Sequence, residues 1–539
     1  MSRVIKDIYW DKLTRSVDIN SLLSFLKDEK VKTEQLYIYI PESDKYAVQY
    51  YTALSSQYNC IKIQIVPKNF SSKNIKNIYK NPGILSLSFD KKTGKSNPYV
   101  VPGGRFNEMY GWDSYFIGIG LLVDDKFNLA KAMIENLEYQ IIHYGKILNA
   151  NRSYYLTRSQ PPFFTSFIKE FYEKYRNSLS KEWLFKKITT AIKEYHNVWM
   201  KQGVRLTSLG LNRYFGEGKG IAQETEKEHF KYYISKYAKK HCLTPQEFKK
   251  AYMFGEIKEP ELDTYFIHDR SMRESGHDTT SRLDNCAANL IVVDLNCLLY
   301  KYETDFAHII KNYFMDSFVY NNETLTESYW LKKAQKRKKL IYRYLWHRTN
   351  ETFYDYNLKE EAAHLYLSAT NLYPLWSNLC TQEEAQKLVT NQLELLICKG
   401  GVASTSEITN SEVDKNAPKR QWDFPYGWAP HQMLIWQGLL NYGFHKKAQE
   451  LIYRWLWLIV KTAVNYNGTI PEKFDVKNCT HKIDIEYGNV GVDFKWLTDG
   501  GFGWTNASFK LGMKLLEDKY ICFLNKLVDP DQVFKNRTN

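Results

Sequence analysis

Beyond residue 100, apolar side chains recur with a helical period. Leu129, Met133, Leu137 and Ile141 stand at four-residue intervals, which predicts a helix over 128–144. The same stripe predicts helices over 181–199, 287–314, 360–376, 383–396, 446–464 and 507–524. Polar connections rich in Gly, Pro and Asn alternate with these helices. The first hundred residues have another texture. The runs 36–40 (LYIYI), 61–66 (IKIQIV) and 84–89 (ILSLSF) are short and β-branched or alternating, and Pro41, Pro67 and Pro82-Gly83 punctuate them as they do strands. The pattern divides the chain into a small mixed α/β N-terminal lobe, 1–95, and a large all-α domain, 96–539. Many amphipathic helices joined by long loops fit a toroid of helix pairs whose loops gather at one end around a pocket.

Composition narrows the classes. The chain has 539 residues, 44% hydrophobic and 25% charged, which is the balance of a folded globular protein. The N-terminus is charged from Arg3 onward and lacks an apolar run of signal-peptide length, and the apolar stretch 451–464 is broken by Arg454 and Lys461. The expectation is a cytoplasmic protein with no membrane partner. None of the eight cysteines forms a C-x-x-C pair, so zinc-ribbon and thioredoxin chemistry are unsupported and reduced thiols are expected. The formal charge of +14 is spread along the chain. Its densest run, Lys332, Lys333, Lys336, Arg337, Lys338 and Lys339, falls in a helical stretch and reads as a solvated helix face rather than a nucleic-acid patch. Aromatic residues reach 15%, with 41 Tyr and 14 Trp, a content that suits sugar faces, flat ligands and helix cores alike.

Two stretches concentrate chemistry. Pro102-Gly103-Gly104-Arg105-Phe106-Asn107-Glu108-Met109-Tyr110-Gly111-Trp112-Asp113-Ser114-Tyr115 combines a Pro-Gly-Gly turn with a fork of donors, an indole face and a carboxylate. The residue types leave two readings open: a sugar-holding loop, or a loop entering a helix with Arg105 and Asp113 as an ion pair. Gln421-Trp422-Asp423-Phe424-Pro425-Tyr426-Gly427-Trp428-Ala429-Pro430 has the same character, and reads as an aromatic sugar platform or as a Trp-rich core corner.

These stretches resemble the two signatures of the trehalases, P-G-G-R-F-x-E-x-Y-x-W-D-x-Y and Q-W-D-x-P-x-G-W-x-P. The segments 148–162, 273–282 (RESGHDTTSR) and 471–476 (PEKFDV) resemble the neutral, cytosolic fungal-type branch, and the resemblance covers about residues 34 to 525. It implies an (α/α)6 barrel and hydrolysis of α,α-trehalose to two glucoses with inversion. An inverting glycosidase needs one carboxylic acid beside the leaving oxygen and one carboxylate activating water on the opposite face. With 60 acidic residues, spacing alone chooses neither. By resemblance Asp278 is the general acid and Glu472 the general base. The matching substrate-binding positions are Arg105, Trp112, Asp113, Asn149, Arg158, Gln160, Glu224, Ser275, Gly276, Trp428 and Asp493. The resemblance implies no metal, nucleotide or redox cofactor, and a small-molecule partner, trehalose, with no nucleic acid and no membrane. Nor does the sequence hold a D-x-D-x-D-G loop with a closing Glu, the signature of an EF-hand calcium site.

The chain departs from many relatives at His277, where they have Trp, at Asp493, where they have Glu, and at Ala222, where they have Arg. His277 is expected to pack rather than tune the acid. Gly216-Glu217-Gly218-Lys219-Gly220 has glycines like a phosphate loop but no Ser or Thr after the Lys. Three other classes stand beside the hydrolase reading: a barrel acting on another small glucoside, a trehalose-binding sensor of weak activity, and a terpene cyclase or prenyltransferase. The last lacks its D-D-x-x-D box here.

Overall fold

Short turns joining long helices force antiparallel pairs, and this chain forms such pairs again and again. The structure, a computed structural model, describes residues 1–25, 35–68, 78, 81–90, 92–225, 229–411, 419–483 and 500–534. In chain order its main helices are α1 (Lys45–Gln57), α2 (Asp113–Val123), α3 (Phe127–Tyr144), α4 (Phe164–Tyr175), α5 (Lys181–Glu194), α6 (Lys231–Lys240), α7 (Pro245–Phe254), α8 (Pro260–Glu274), α9 (Val293–Tyr313), α10 (Glu327–Tyr344), α11 (Tyr373–Trp376), α12 (Gln382–Lys387), α13 (Ala429–Asn441), α14 (His445–Asn465), α15 (Gly503–Leu515) and α16 (Asp518–Asn525). Helix α2 packs on α4, α4 on α9, α9 on α11, α11 on α13, α13 on α15, and α15 closes back on α2. That closed inner ring is wrapped by α3, α5, α10, α12, α14 and α16, each following its inner partner in the chain. The fold is the expected (α/α)6 barrel.

Connectivity fixes where chemistry can sit. Each inner helix passes directly to its outer partner, mostly through a short connection such as 124–126 or 442–444 and, after α9, through a hairpin in 314–326, so all inner helices run the same way. The long connections, 145–163, 200–292, 345–372, 393–428 and 466–502, all lead into inner-helix N-termini. Both signatures are therefore carried to one mouth.

The strands β1 (Leu36–Pro41), β2 (Ile61–Val66) and β3 (Ile84–Leu85) form a parallel sheet in the order β2-β1-β3. Helix α1 lies between β1 and β2 in the chain, its N-terminus capped by Asp44. Ile38, Ile40 and Tyr51 belong to the same buried cluster as the barrel core. The Leu85 N–H donates to the Asn151 carbonyl at 2.8 Å, which ties this sheet to the connection before α4.

Three helix expectations need correction. Residues 360–376 are not one helix. Ala362–His364 is a strand on Asp355–Asn357, then a 3-10 turn covers Ala369–Leu372, and helix survives only in α11. In 287–314 the strand Leu290–Ile291 pairs with Tyr356–Asn357, so helix begins only at Val293. The 507–524 helix breaks between α15 and α16, where Gln449 caps both ends: its amide donates to the Leu515 carbonyl at 2.8 Å and accepts from the Glu517 N–H at 2.9 Å. The basic run lies on α10 with Lys332, Lys336 and Lys339 exposed, while Arg337 turns inward to Glu303 at 2.9 Å.

Candidate active site

The mouth is knitted from segments far apart in sequence. The Gly111 N–H donates to the Asn149 carbonyl at 3.1 Å and the Met109 N–H to Asn151 Oδ1 at 2.7 Å, which joins the first signature to the 148–160 connection. Strand β4 (Tyr426–Trp428) pairs antiparallel with β5 (Lys473–Asp475), with Trp428 opposite Lys473, so Glu472 emerges just beyond the second signature. The Trp422 N–H donates to the Thr279 carbonyl at 2.9 Å, and Asp423 accepts from Thr280 Oγ1 at 2.7 Å and the Ser281 N–H at 3.1 Å. The loop carrying Asp278 is thereby locked to the second signature.

Asp278 and Glu472 meet different surroundings. The Asp278 side chain keeps 30% exposure and lies 3.4 Å from Arg273 Nη1. Desolvation outweighs that guanidinium and pushes the Asp278 carboxyl up to about 7, with the Glu224 carboxylate adding to the rise. Glu472 Oε2 stands 3.4 Å from Arg105 Nη2 and 3.5 Å from Lys473 Nζ. Its backbone carbonyl accepts the Trp504 indole N–H at 3.0 Å. Asp113, buried at the start of α2, is pushed well above the usual carboxylate range by desolvation, and the Glu472 and Asp278 charges push it further. The three carboxyl groups thus share one electrostatic neighbourhood. Arg105 pairs with Glu472, and among the described ion pairs none joins it to Asp113, so the ion pair of the second reading is not formed.

The other expected residues divide by setting. Arg158 pairs with Glu224 and lies over the Tyr155 ring at 5.0 Å. Asn149 donates its amide to the Arg273 carbonyl at 3.1 Å, and Gln160 accepts the Trp112 N–H at 2.8 Å, so both side chains brace the mouth. Ser275 donates to the Met272 carbonyl at 2.6 Å and accepts the His277 N–H at 3.1 Å. Gly276 has φ +78°, and a Cβ there would stand 2.7 Å from the Trp112 ring. Asp493 lies outside the described residues.

Trp112 and Trp428 are buried rather than open platforms, so the second signature forms the Trp-rich corner, one of its two readings. Trp428 stacks on Trp422 with centroids 4.0 Å apart and planes 5° apart, and the Lys473 ammonium lies 4.9 Å from its ring. Trp112 is 2% exposed and packs against Trp422 and Trp504. Together the four indoles form a wall behind the carboxyl groups. His277 packs into that wall, 4.8 Å from the Trp422 ring, with Nε2 3.1 Å from His431 Nε2. Burial keeps both imidazoles well below their usual pKa, hence neutral.

Sequence reasoning passed over Gln421, Lys473, Arg273 and Trp504, although the first three sit inside the quoted segments. A Gln before a Trp, or a Lys beside an expected base, carries no periodic signal. Among the described residues no three His, Cys, Asp or Glu side chains converge as a metal site.

The chain matches the Trehalase family model over residues 1–517. It is 43% identical over 555 residues to a probable trehalase of Eremothecium gossypii, covering 99% of this chain and 75% of that one. It is 41% identical over 556 residues to the cytosolic neutral trehalase of Saccharomyces cerevisiae, covering 99% and 74%. The solved neutral trehalase Nth1 from Saccharomyces cerevisiae superposes with a TM-score of 0.90 at 39% identity, covering 99% of this chain and 97% of that one.

Proposed function

The chain belongs to the trehalase family, and from that premise we propose that Asp278 and Glu472 are its general acid and general base. The protein hydrolyses α,α-trehalose to two glucose molecules. Its relatives are named cytosolic neutral trehalases, which assigns the reaction to the cytosol; among the described residues no helix is long and apolar enough to cross a membrane.

One displacement suffices. Asp278 gives its proton to the glycosidic oxygen as the anomeric C–O bond breaks. Glu472 takes a proton from the water that attacks the same carbon from the opposite face. One glucose leaves with its configuration kept and the other is inverted. The observation that carries this reading is the contrast between the two carboxyl groups. Asp278 is pushed up to about 7, so it holds a proton near neutrality, whereas Glu472 stands within 3.5 Å of two cations, Arg105 and Lys473. Burial pushes Asp113 well above the usual carboxylate range, with the Glu472 and Asp278 charges adding to the rise. Arg105, Arg158, Glu224 and Asp113 are the groups we assign to substrate hydroxyls; Asn149, Gln160, Ser275, Gly276, Trp112 and Trp428 support the mouth.

Proton NMR of fresh product tests the stereochemistry: α- and β-glucose in equal parts before mutarotation is expected, and two α anomers would mean retention. Asp278→Asn and Glu472→Gln are each expected to lower kcat by about 10²–10⁴-fold while leaving trehalose binding in place. Near-wild-type turnover in either variant rejects that assignment.

A further inference from the structure

Between the two catalytic carboxyl groups runs a bridge of side chains that the reaction itself does not consume. Lys473 follows Glu472 directly, and its side chain is 2% exposed. Burying an ammonium is costly unless it is paired, and a buried site needing only bulk is served better by Leu or Met. Lys473 Nζ is held on three sides: by Gln421 Oε1 at 2.9 Å, by Glu472 Oε2 at 3.5 Å, and by the Trp428 ring at 4.9 Å. Gln421 is equally committed. Its oxygen accepts from Lys473, its amide NH2 donates to the backbone carbonyl of Asp278, and its own carbonyl accepts the Trp428 indole N–H at 2.8 Å. Because Trp428 stands opposite Lys473 in the β4–β5 register, the bridge closes on itself.

From this geometry we infer that Lys473 is a positioning residue for Glu472, fixing its charge and direction, and that Gln421 relays the hold to the Asp278 backbone and so sets the gap between the two carboxyl groups. The inference rests on the reading of Glu472 as general base. An inverting site must keep a gap wide enough for water, and neither carboxyl group sits inside a long helix that would fix it. A bridge through a backbone carbonyl leaves the Asp278 carboxyl free to donate. The ammonium stands 3.5 Å from Glu472 Oε2, within reach to hold that carboxyl group in place. Glu472 is also faced by Arg105 from the first signature and Asp113 from α2. Asp278 is faced by Arg273 from α8, by Arg158 and Glu224 from the connections across the mouth, and by Lys473 itself. Removing the ammonium therefore acts mainly on Glu472, with Arg105 left as its second cation.

The test is kcat and kcat/KM for trehalose against pH on the full chain, with Tm measured for each variant. Lys473→Met is expected to move the acidic limb of kcat/KM up by about one pH unit, to shift the alkaline limb less, and to lower kcat about tenfold. Lys473→Arg is expected to return the acidic limb toward wild type. Gln421→Met keeps the ammonium, so it is expected to lower kcat about tenfold with both limbs in place. A folded Lys473→Met enzyme with the wild-type acidic limb would overturn the inference. Should Lys473→Met not fold, Gln421→Met decides, and wild-type kcat there overturns the inference equally. Glu472→Gln, run beside them, separates the two levels: its full turnover removes the base assignment itself, whatever Lys473 does.

Discussion

Trp504 donates its indole N–H to the backbone carbonyl of Glu472 at 3.0 Å. The second residue of an inner helix therefore holds the strand end that carries the base, and Thr505 Oγ1 reaches the same carbonyl at 3.4 Å. Trp504→Phe keeps an aromatic ring in the wall but removes the donor. The expected result is a kcat about tenfold lower with a stability loss of about 1 kcal/mol, the worth of one buried hydrogen bond. Steady-state kinetics and denaturant unfolding read the two effects separately.

Asp278 with a pKa of about 7 predicts an alkaline limb of kcat/KM near pH 7, because the acid must carry its proton in the free enzyme. The same shift is a stability statement. The folded form binds the proton more tightly than the unfolded chain, so this contribution is present below the ordinary carboxylate value of 3.8 and is lost as pH rises through about 7. Asp278→Asn removes that loss. Its Tm is expected to exceed the wild type's at pH 8 by about 1–3 °C and to show no such gain at pH 4, measured by calorimetry.

Gly276→Ala meets two obstacles at once, a φ of +78° and a Cβ 2.7 Å from the Trp112 ring. A loss of about 1–3 kcal/mol in stability is expected, with kcat falling because the adjacent acid loop must shift. Wild-type kinetics in this variant would show that the loop tolerates displacement.

Trp428→Ala removes a ring stacked on Trp422 and covered by Lys473, and is expected to cost about 3–5 kcal/mol. Its activity loss is expected to exceed that of an outer-ring substitution of equal stability cost, since Trp428 also anchors Gln421. Comparing the two at matched Tm checks it.

How legible was all this in the chain? Outer helices announce themselves because one face is wet: α3 and α14 follow the stripes at 128–144 and 446–464 closely. The inner helices α2 and α13 are hidden for the opposite reason. Every residue of Asp113–Leu122 is buried, and so are most of Ala429–Leu439, so no polar face exists to set a period. Residues 360–376 mislead because their apolar spacing is helical while strand pairing to Asp355–Asn357 wins locally. The acid and base were reachable through resemblance, not spacing. The roles of Gln421 and Trp504 depend on which carbonyl a side chain meets across the barrel, and a linear pattern does not encode that.

Because the inner helices share one direction, the barrel's two ends are unequal. The signatures crowd one rim, while the opposite rim holds brief turns such as 442–444, where Gly443 has φ +76° and open space around it. A segment grafted into a far-rim turn such as 442–444 therefore lies at the end of the barrel away from the signatures, where it leaves the acid and the base in place.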